Sequence, residues 1–339
     1  MRSVAILGTG LIGTSIGLAL REAGWGVVGW DPDTAIGEEA LERGGLDELV
    51  ANEDLACAGP HDLVVFAGPP VSAAEFVSRS QVPWLTIDTA GAKATVAAAS
   101  RLARFVGTHP MAGREVSGPA AATASLFNGA TWVIATDGAA ESDMVAVESI
   151  VATIGARPVR MSAAEHDAAV AAISHLPQML AASLVGLAAD HETAMSLAAG
   201  SFRDLTRVAG SDSALWIEVL KANRDEVLAA IAGLQNRLGE LAGLLAADDI
   251  AGLTEQLDAA REVRRSLAAR ATAVRIALAD RPGELAKVGA ALSNANADVR
   301  DIQLRHAPYG GGGVLTISVR PGDAAALSDA ILTAGLVLA

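Results

Sequence analysis

Val4-Ala-Ile-Leu7 runs directly into Gly8-Thr-Gly10-Leu11-Ile12-Gly13, and the apolar run Gly26-Val-Val-Gly-Trp30 follows and stops at Asp31. This stretch decides the fold. A short apolar run, a glycine-rich turn and a helix reaching about Ala23 form the first strand–turn–helix step of a doubly wound sheet. Each glycine has its own duty. Gly8 permits the tight turn, Gly10 lets the backbone approach a pyrophosphate, and Gly13 lets helix and strand pack closely. The helix start at Leu11 and Ile12 offers unpaired backbone N–H groups to phosphate oxygens. Asp31 lies about twenty residues on, where a carboxylate accepts hydrogen bonds from ribose hydroxyls. Pro32-Asp33-Thr34 brings no arginine for a 2′-phosphate, so the cofactor reads as NAD rather than NADP.

Working outward, Leu63–Ala67 is a buried strand cut off by Gly68-Pro69-Pro70. Leu85–Asp88, Phe105–Thr108 and Trp132–Thr136 read as further strands, with helical stretches between most of them. The expected class is α/β, with a Rossmann-type dinucleotide-binding domain over residues 1–161. From about Met161 the texture turns helical, and residues 162–271 read as a helical substrate and dimerisation domain. Leu234, Leu238, Leu241 and Leu245 recur at helical spacing and call for a partner surface, so a homodimer is expected. Residues 272–339 read as a third, α+β domain. Val274–Ala279, Val299–His306 and Val314–Val319 are its strands, Glu284–Ser293 and Ala324–Ala334 its helices, and a last short strand follows. That order is ferredoxin-like.

Composition narrows the function classes. The 339 residues carry a formal charge of −14 with only 25 Lys and Arg and no basic stripe, which speaks against a nucleic-acid partner. An anionic substrate would need a local arginine. Cys57 is the lone cysteine, so neither an intrachain disulfide nor a cysteine zinc site is available, and no metal is expected. A reducing, cytoplasmic setting fits. Residues 4–20 are too glycine-rich for a signal core and lack a cleavage site. Residues 168–189 contain no Asp, Glu, Lys or Arg, but His175, Pro177 and Gln178 suit a buried helix better than a membrane span.

The chemistry-bearing segment is Gly107-Thr-His109-Pro-Met-Ala-Gly113-Arg-Glu115-Val-Ser117-Gly118. It follows a strand, and ligands in such sheets sit beyond the carboxyl ends of strands. A neutral His109 there would take the proton of a substrate hydroxyl while hydride leaves the same carbon.

With these residues in hand, the chain resembles the prephenate dehydrogenases of tyrosine biosynthesis over residues 1 to about 270. The resemblance rests on four stretches in order. They are the glycine loop, the His109 segment, Glu165-His166-Asp167 with Ser174-His175-Leu176-Pro177, and Phe202-Arg-Asp-Leu-Thr-Arg207 with Ser211-Asp212 and Trp216. It implies an NAD-dependent oxidative decarboxylation of prephenate to 4-hydroxyphenylpyruvate. It places His109 on the ring 4-hydroxyl and Arg207 on a substrate carboxylate, a pairing that suits a bidentate guanidinium. Gly91, within Asp88-Thr-Ala-Gly91-Ala-Lys93, stands where family members carry a serine that assists the histidine. Gln178 stands where many carry a second histidine. Both are assigned to substrate binding. Arogenate is the near alternative substrate, a non-catalytic binder of NAD and amino acids the remote alternative. His175 is expected to be a packed helix residue and His166 to face solvent, neither with a catalytic role. The terminal domain resembles an ACT module through Asp280-Arg-Pro-Gly-Glu-Leu285, which implies an aromatic amino-acid effector.

Overall fold

The computed structural model describes residues 2–113, 117–268, 272–306 and 312–339. Two compact units divide the chain, Met1–Asn236 and Arg237–Ala339.

The first unit opens with strands β1 (Ser3–Leu7), β2 (Gly26–Trp30), β3 (Glu48–Leu49), β4 (Leu63–Phe66), β5 (Thr86–Asp88) and β6 (Phe105–Val106). They form one parallel sheet in the order β3-β2-β1-β4-β5-β6. Val4 and Ile6 pack into the core on one face, Ala5 and Leu7 into the core on the other. A strand buried on both faces has no polar side, which is why β1 and β4 read as unbroken apolar runs. Strand order reverses at β1, with β2 on one side and β4 on the other. The glycine loop therefore leaves the sheet at its switch point, where the crevice for a dinucleotide opens.

A second sheet holds β7 (Thr108–Pro110), β8 (Thr131–Ala135) and β9 (Arg157–Met161) in that order, with β7 antiparallel to β8. The single strand expected over Phe105–Thr108 is thus two strands in two sheets. The backbone N–H of Thr108 donates to the Asp88 carboxylate at 3.0 Å instead of to a neighbouring strand, and the chain turns away there. Strand β3 is only two residues long, and β9 reads Arg-Pro-Val-Arg-Met, without an alternating or apolar pattern to announce it.

Helix Ala163–Val170 follows, started by a capping box in which Ser162 and Glu165 satisfy each other's backbone N–H groups. A π-helical turn, Ala171–His175, joins it to helix Leu176–Ala189. Pro177 has no N–H to give the carbonyl one turn back, and the widened turn accommodates that loss. The run is long and apolar enough to cross a membrane by length and composition. Contrary to the buried helix expected for 168–189, much of it is exposed in the single chain, with Ile173 at 66% and Leu187 at 63%. An apolar helix face of this kind needs cover from another surface. Helices Gly200–Thr206 and Ser213–Ala222 complete this part of the unit.

In the second unit, β10 (Thr272–Leu278), β11 (Val299–His306), β12 (Gly313–Val319) and β13 (Val337–Leu338) form an antiparallel sheet in the order β11-β12-β10-β13. Helices Glu284–Ala295 and Ala324–Thr333 pack on one face, over Ile276 and Ile317. The ferredoxin-like order expected from sequence is present, the short last strand included.

Candidate active site

The glycine loop separates residues that close backbone packing requires from one that it does not. Gly8 has φ of +91°, and a Cβ there would lie 2.6 Å from the Ala67 carbonyl oxygen. A Cβ on Gly13 would lie 2.0 Å from the Gly8 carbonyl oxygen. Gly17 repeats this one turn later, 2.1 Å from the Gly45 carbonyl oxygen, a close approach that the three-glycine reading did not include. Gly10 differs, because a Cβ there would meet no atom within 4 Å. It stands at the start of helix Leu11–Glu22, whose first turn has no side-chain cap. Open space in front of uncapped backbone N–H groups is a cradle for a phosphate. Asp31 holds the loop, accepting from the Thr9 backbone N–H at 2.6 Å, the Thr9 hydroxyl at 3.2 Å and the Asp33 N–H at 3.0 Å. These residues fit a dinucleotide.

The second part is built around β7. The Asp88 carboxylate, at the end of β5, accepts from the Thr108 N–H, and the Thr108 hydroxyl donates to the Asp88 carbonyl at 2.5 Å. The Lys93 ammonium pairs with Asp88 and donates to the Thr108 carbonyl at 2.6 Å. Both side chains of this pair are fully buried. Burial pushes the Lys93 ammonium below its ordinary value, and the Asp88 carboxylate opposes that shift. The clamp fixes the backbone immediately before His109. His109 pairs with Val133 across the second sheet, which places the histidine on a strand rather than on a free loop.

His109 is half-buried and belongs to a chain of hydrogen bonds. Its Nδ1 lies 2.9 Å from Nε2 of His166, and Nδ1 of His166 lies 2.7 Å from the Asp167 carboxylate. Asp167 also accepts from the backbone N–H groups of Lys93 at 2.7 Å and Ala94 at 2.8 Å. Burial alone would raise the Asp167 carboxyl, but hydrogen bonds from His166 and these two N–H groups outweigh it and hold it below the usual carboxylate range. His109 is held well below an ordinary histidine, first by burial and then by its electrostatic interactions with His166, Lys93 and His175. It is therefore a neutral imidazole near neutral pH. Its Nε2 looks toward Gly91, where a Cβ would stand 3.9 Å from that nitrogen and 3.9 Å from Val219.

The expectation that His166 faces solvent is wrong. It is 1% exposed and joins His109 to Asp167. Buried Ala163, His166, Asp167 and Val170 recur at spacings of three and four along their helix, so this face turns inward. His175 is packed as expected, edge-on to Trp216 with ring centroids 6.0 Å apart. Burial lowers it to about 4. Asn223 ties the two helices, donating to the Asp167 carbonyl at 2.8 Å and lying 3.2 Å from Nδ1 of His175. Gln178 is buried, and its side-chain oxygen has no partner among the described residues. Arg207 stands exposed at the end of helix Gly200–Thr206, on the surface rather than among the buried histidines. Arg114, Glu115 and Val116 of the His109 segment lie outside the described residues, as do residues 307–311.

Comparison with known proteins addresses the same residues. The prephenate dehydrogenase nucleotide-binding domain matches residues 16–160, and the prephenate dehydrogenase dimerization domain matches residues 162–259. A probable prephenate dehydrogenase of Streptomyces niveus is 32% identical over 96% of this chain and 96% of its own. The crystal structure of prephenate dehydrogenase from Aquifex aeolicus, in complex with hydroxyphenyl propionate and NAD+, aligns with a TM-score of 0.73. It is 25% identical and covers 79% of this chain and 98% of its own. The Synechocystis arogenate dehydrogenase structure aligns at 0.66 with 25% identity, over 78% of this chain and 99% of its own. This agreement along the chain leads to one assignment: the chain belongs to the prephenate dehydrogenase family.

Proposed function

We infer that this chain catalyses the NAD-dependent oxidative decarboxylation of prephenate to 4-hydroxyphenylpyruvate. The observation that carries the mechanism is His109, neutral, with Nδ1 engaged by His166 and Nε2 turned toward the small space at Gly91. NAD+, when bound, accepts a hydride from the ring carbon that bears the hydroxyl. Gly8, Gly10, Leu11, Ile12 and Gly13 seat its pyrophosphate, and Asp31 takes the ribose hydroxyls. Nε2 of His109 accepts the hydroxyl proton as the C–H bond breaks. The carboxylate on the ring leaves as carbon dioxide, the electrons of that bond complete the aromatic ring, and the proton held on Nε2 returns to the phenolate oxygen to give the 4-hydroxyl of the product. Aromatisation drives the reaction, so the protein's main work is to position the ring and to hold one proton. Arg207 clamps a carboxylate at the mouth of the site. The open side-chain oxygen of Gln178 serves as a hydrogen-bond acceptor for the substrate side chain.

The test is NADH absorbance with prephenate, then with arogenate. Prephenate is the expected substrate, and His109→Asn is expected to lower turnover by about 10²–10⁴ with NAD affinity retained. Turnover near that of the wild type would remove His109 from the mechanism, and a higher kcat/KM for arogenate would reassign the substrate.

Three further readings attach to this one. A second copy of the chain covers the exposed apolar face around Ile173 and Leu187, making a homodimer. The setting is the cytoplasm. The turn Asp280–Gly283 borders a cavity of about 240 Å³ on the second unit, and an aromatic amino acid is the proposed effector there. Tyrosine added to the intact chain is expected to lower its rate without competing with prephenate. Purely competitive inhibition would place tyrosine at the active site instead.

A further inference from the structure

Neutral imidazole has two tautomers, and which one forms is set by the partners of its two nitrogens. Only the tautomer with an unprotonated Nε2 leaves His109 able to accept a proton on the side that looks toward Gly91. In water the opposite, Nε2–H form is the preferred one, so a base of this orientation has to be imposed.

The hydrogen bonds behind His109 impose it in two steps. Asp167 is ionised and can only accept, and it already receives two backbone N–H groups. Nδ1 of His166, at 2.7 Å from this carboxylate, must therefore carry a proton. In the relay the lone pair of His166 then sits on Nε2. That nitrogen lies 2.9 Å from Nδ1 of His109, so Nδ1 of His109 carries the proton and donates it. The lone pair of His109 is left on Nε2. We propose that His166 and Asp167 are positioning residues that fix His109 in its reactive tautomer, through a carboxylate–imidazole–imidazole relay running from the helical segment into the second sheet. The proposal rests on His109 being the base. It adds a role for two residues that do not touch the substrate.

The same chain responds during the reaction without breaking any bond of its own. As the substrate hydroxyl proton arrives at Nε2, positive charge spreads over the His109 ring. The Nδ1–H···Nε2 hydrogen bond to His166 strengthens, and through it the bond to the Asp167 carboxylate. Asp167 is a poor target for a test by itself, because its two bonds to Lys93 and Ala94 also hold the start of helix Ala94–Ala99. His166 is the cleaner position.

Glutamine and methionine have nearly the same length and shape. In His166→Gln the side-chain oxygen can accept from His109 while the amide donates to Asp167, repeating the donor and acceptor pattern of the imidazole. In His166→Met no acceptor remains. With full-length enzyme and saturating NAD and prephenate, the methionine variant is expected to lose about 10- to 1,000-fold in kcat. Its KM values should change by less than about threefold. The glutamine variant should keep kcat within about fivefold of the wild type. Nitrogen-15 NMR of histidine-labelled protein reads the tautomer itself, with the His109 signal assigned by its loss in His109→Asn. Nδ1–H is expected in the wild type and in the glutamine variant, Nε2–H in the methionine variant. An Nε2–H His109 in the wild type overturns the relay, and that measurement needs no buried substitution to fold. Equal damage from glutamine and methionine, or none from methionine, overturns it as well. Should His109→Asn remain active, the base assignment fails while the NMR result still decides whether the relay sets the tautomer.

Discussion

Gly10 and Gly13 stand three residues apart in one loop, and the structure gives them opposite liabilities. A Cβ on Gly10 would stand in open space, and the residue's φ of −66° and ψ of −158° suit alanine. Gly10→Ala at this helix start costs about 1 kcal/mol or less, which moves the melting temperature of a unit this size by roughly 2–4 °C. The new methyl group does enter the open space before the helix start, where the proposed pyrophosphate would sit. Loss of one charge-assisted hydrogen bond, about 1.5–3 kcal/mol, weakens NAD binding roughly 10- to 150-fold. Gly13→Ala drives a methyl group to 2.0 Å from the Gly8 carbonyl oxygen, a backbone atom that cannot step aside. Overpacking against backbone costs on the order of 3 kcal/mol or more, so this variant should melt far below the wild type or fail to fold. Thermal melts of the free proteins and calorimetric titration with NAD separate the two effects. If Gly10→Ala binds NAD within twofold of the wild type, Gly10 does not face the pyrophosphate. If Gly13→Ala melts with the wild type, the loop is looser than its carbonyl geometry requires.

Arg207→Ala is expected to raise the KM for prephenate roughly 10- to 150-fold, the loss of one charged hydrogen-bonding partner, with a smaller change in kcat. A KM within twofold of the wild type would take the carboxylate clamp away from Arg207. Acid should destabilise the first unit through its buried neutral histidines. His175 is lowered to about 4 from an ordinary 6.5, so the unfolded chain binds a proton that the folded chain refuses. Stability is then complete above about pH 6.5 and is lost as pH falls toward 4, with about 2 kcal/mol gone at pH 5 from this residue, and His109 acts in the same direction. Urea midpoints at pH 7.5 and pH 5 check the sign, and equal midpoints would refute it.

The first sheet was legible because its requirements are local. Strands β1 and β4, buried on both faces, had to be apolar runs, and the loop had to carry glycines where backbone crowds backbone. The second unit was legible for a related reason, since β10 and β12 alternate buried and exposed residues and its helices have apolar faces. The split at Gly107 was not, because it is made by a side chain nineteen positions before it in sequence. Nothing near Thr108 says that Asp88 will take its N–H. His109 was found through its motif, whereas His166 was misplaced although the signal was present. The inward stripe Ala163, His166, Asp167 and Val170 has helical spacing. Two of its four members are polar, and polar residues on a helix read as solvent-facing unless a partner is known. That partner is a histidine 57 residues away.

Asp167 carries the last step of this reasoning. Its carboxylate receives two backbone N–H groups from the segment between β5 and helix Ala94–Ala99, and a third hydrogen bond from His166. Its carbonyl receives Asn223, which also lies against His175 at the foot of helix Leu176–Ala189. One residue thus joins the nucleotide-binding sheet, the helical segment and, through His166, the His109 ring. Gly91 offers no side chain on the other edge of His109, so among the described contacts the ring is oriented from its Nδ1 side alone. A shift of helix Ala163–Val170 against the Lys93–Ala94 backbone would lengthen the hydrogen bonds that keep Asp167 in place, and the protonation pattern of His109 would change with them. In this fold a helix and a strand residue are coupled through two hydrogen bonds of 2.7 and 2.9 Å.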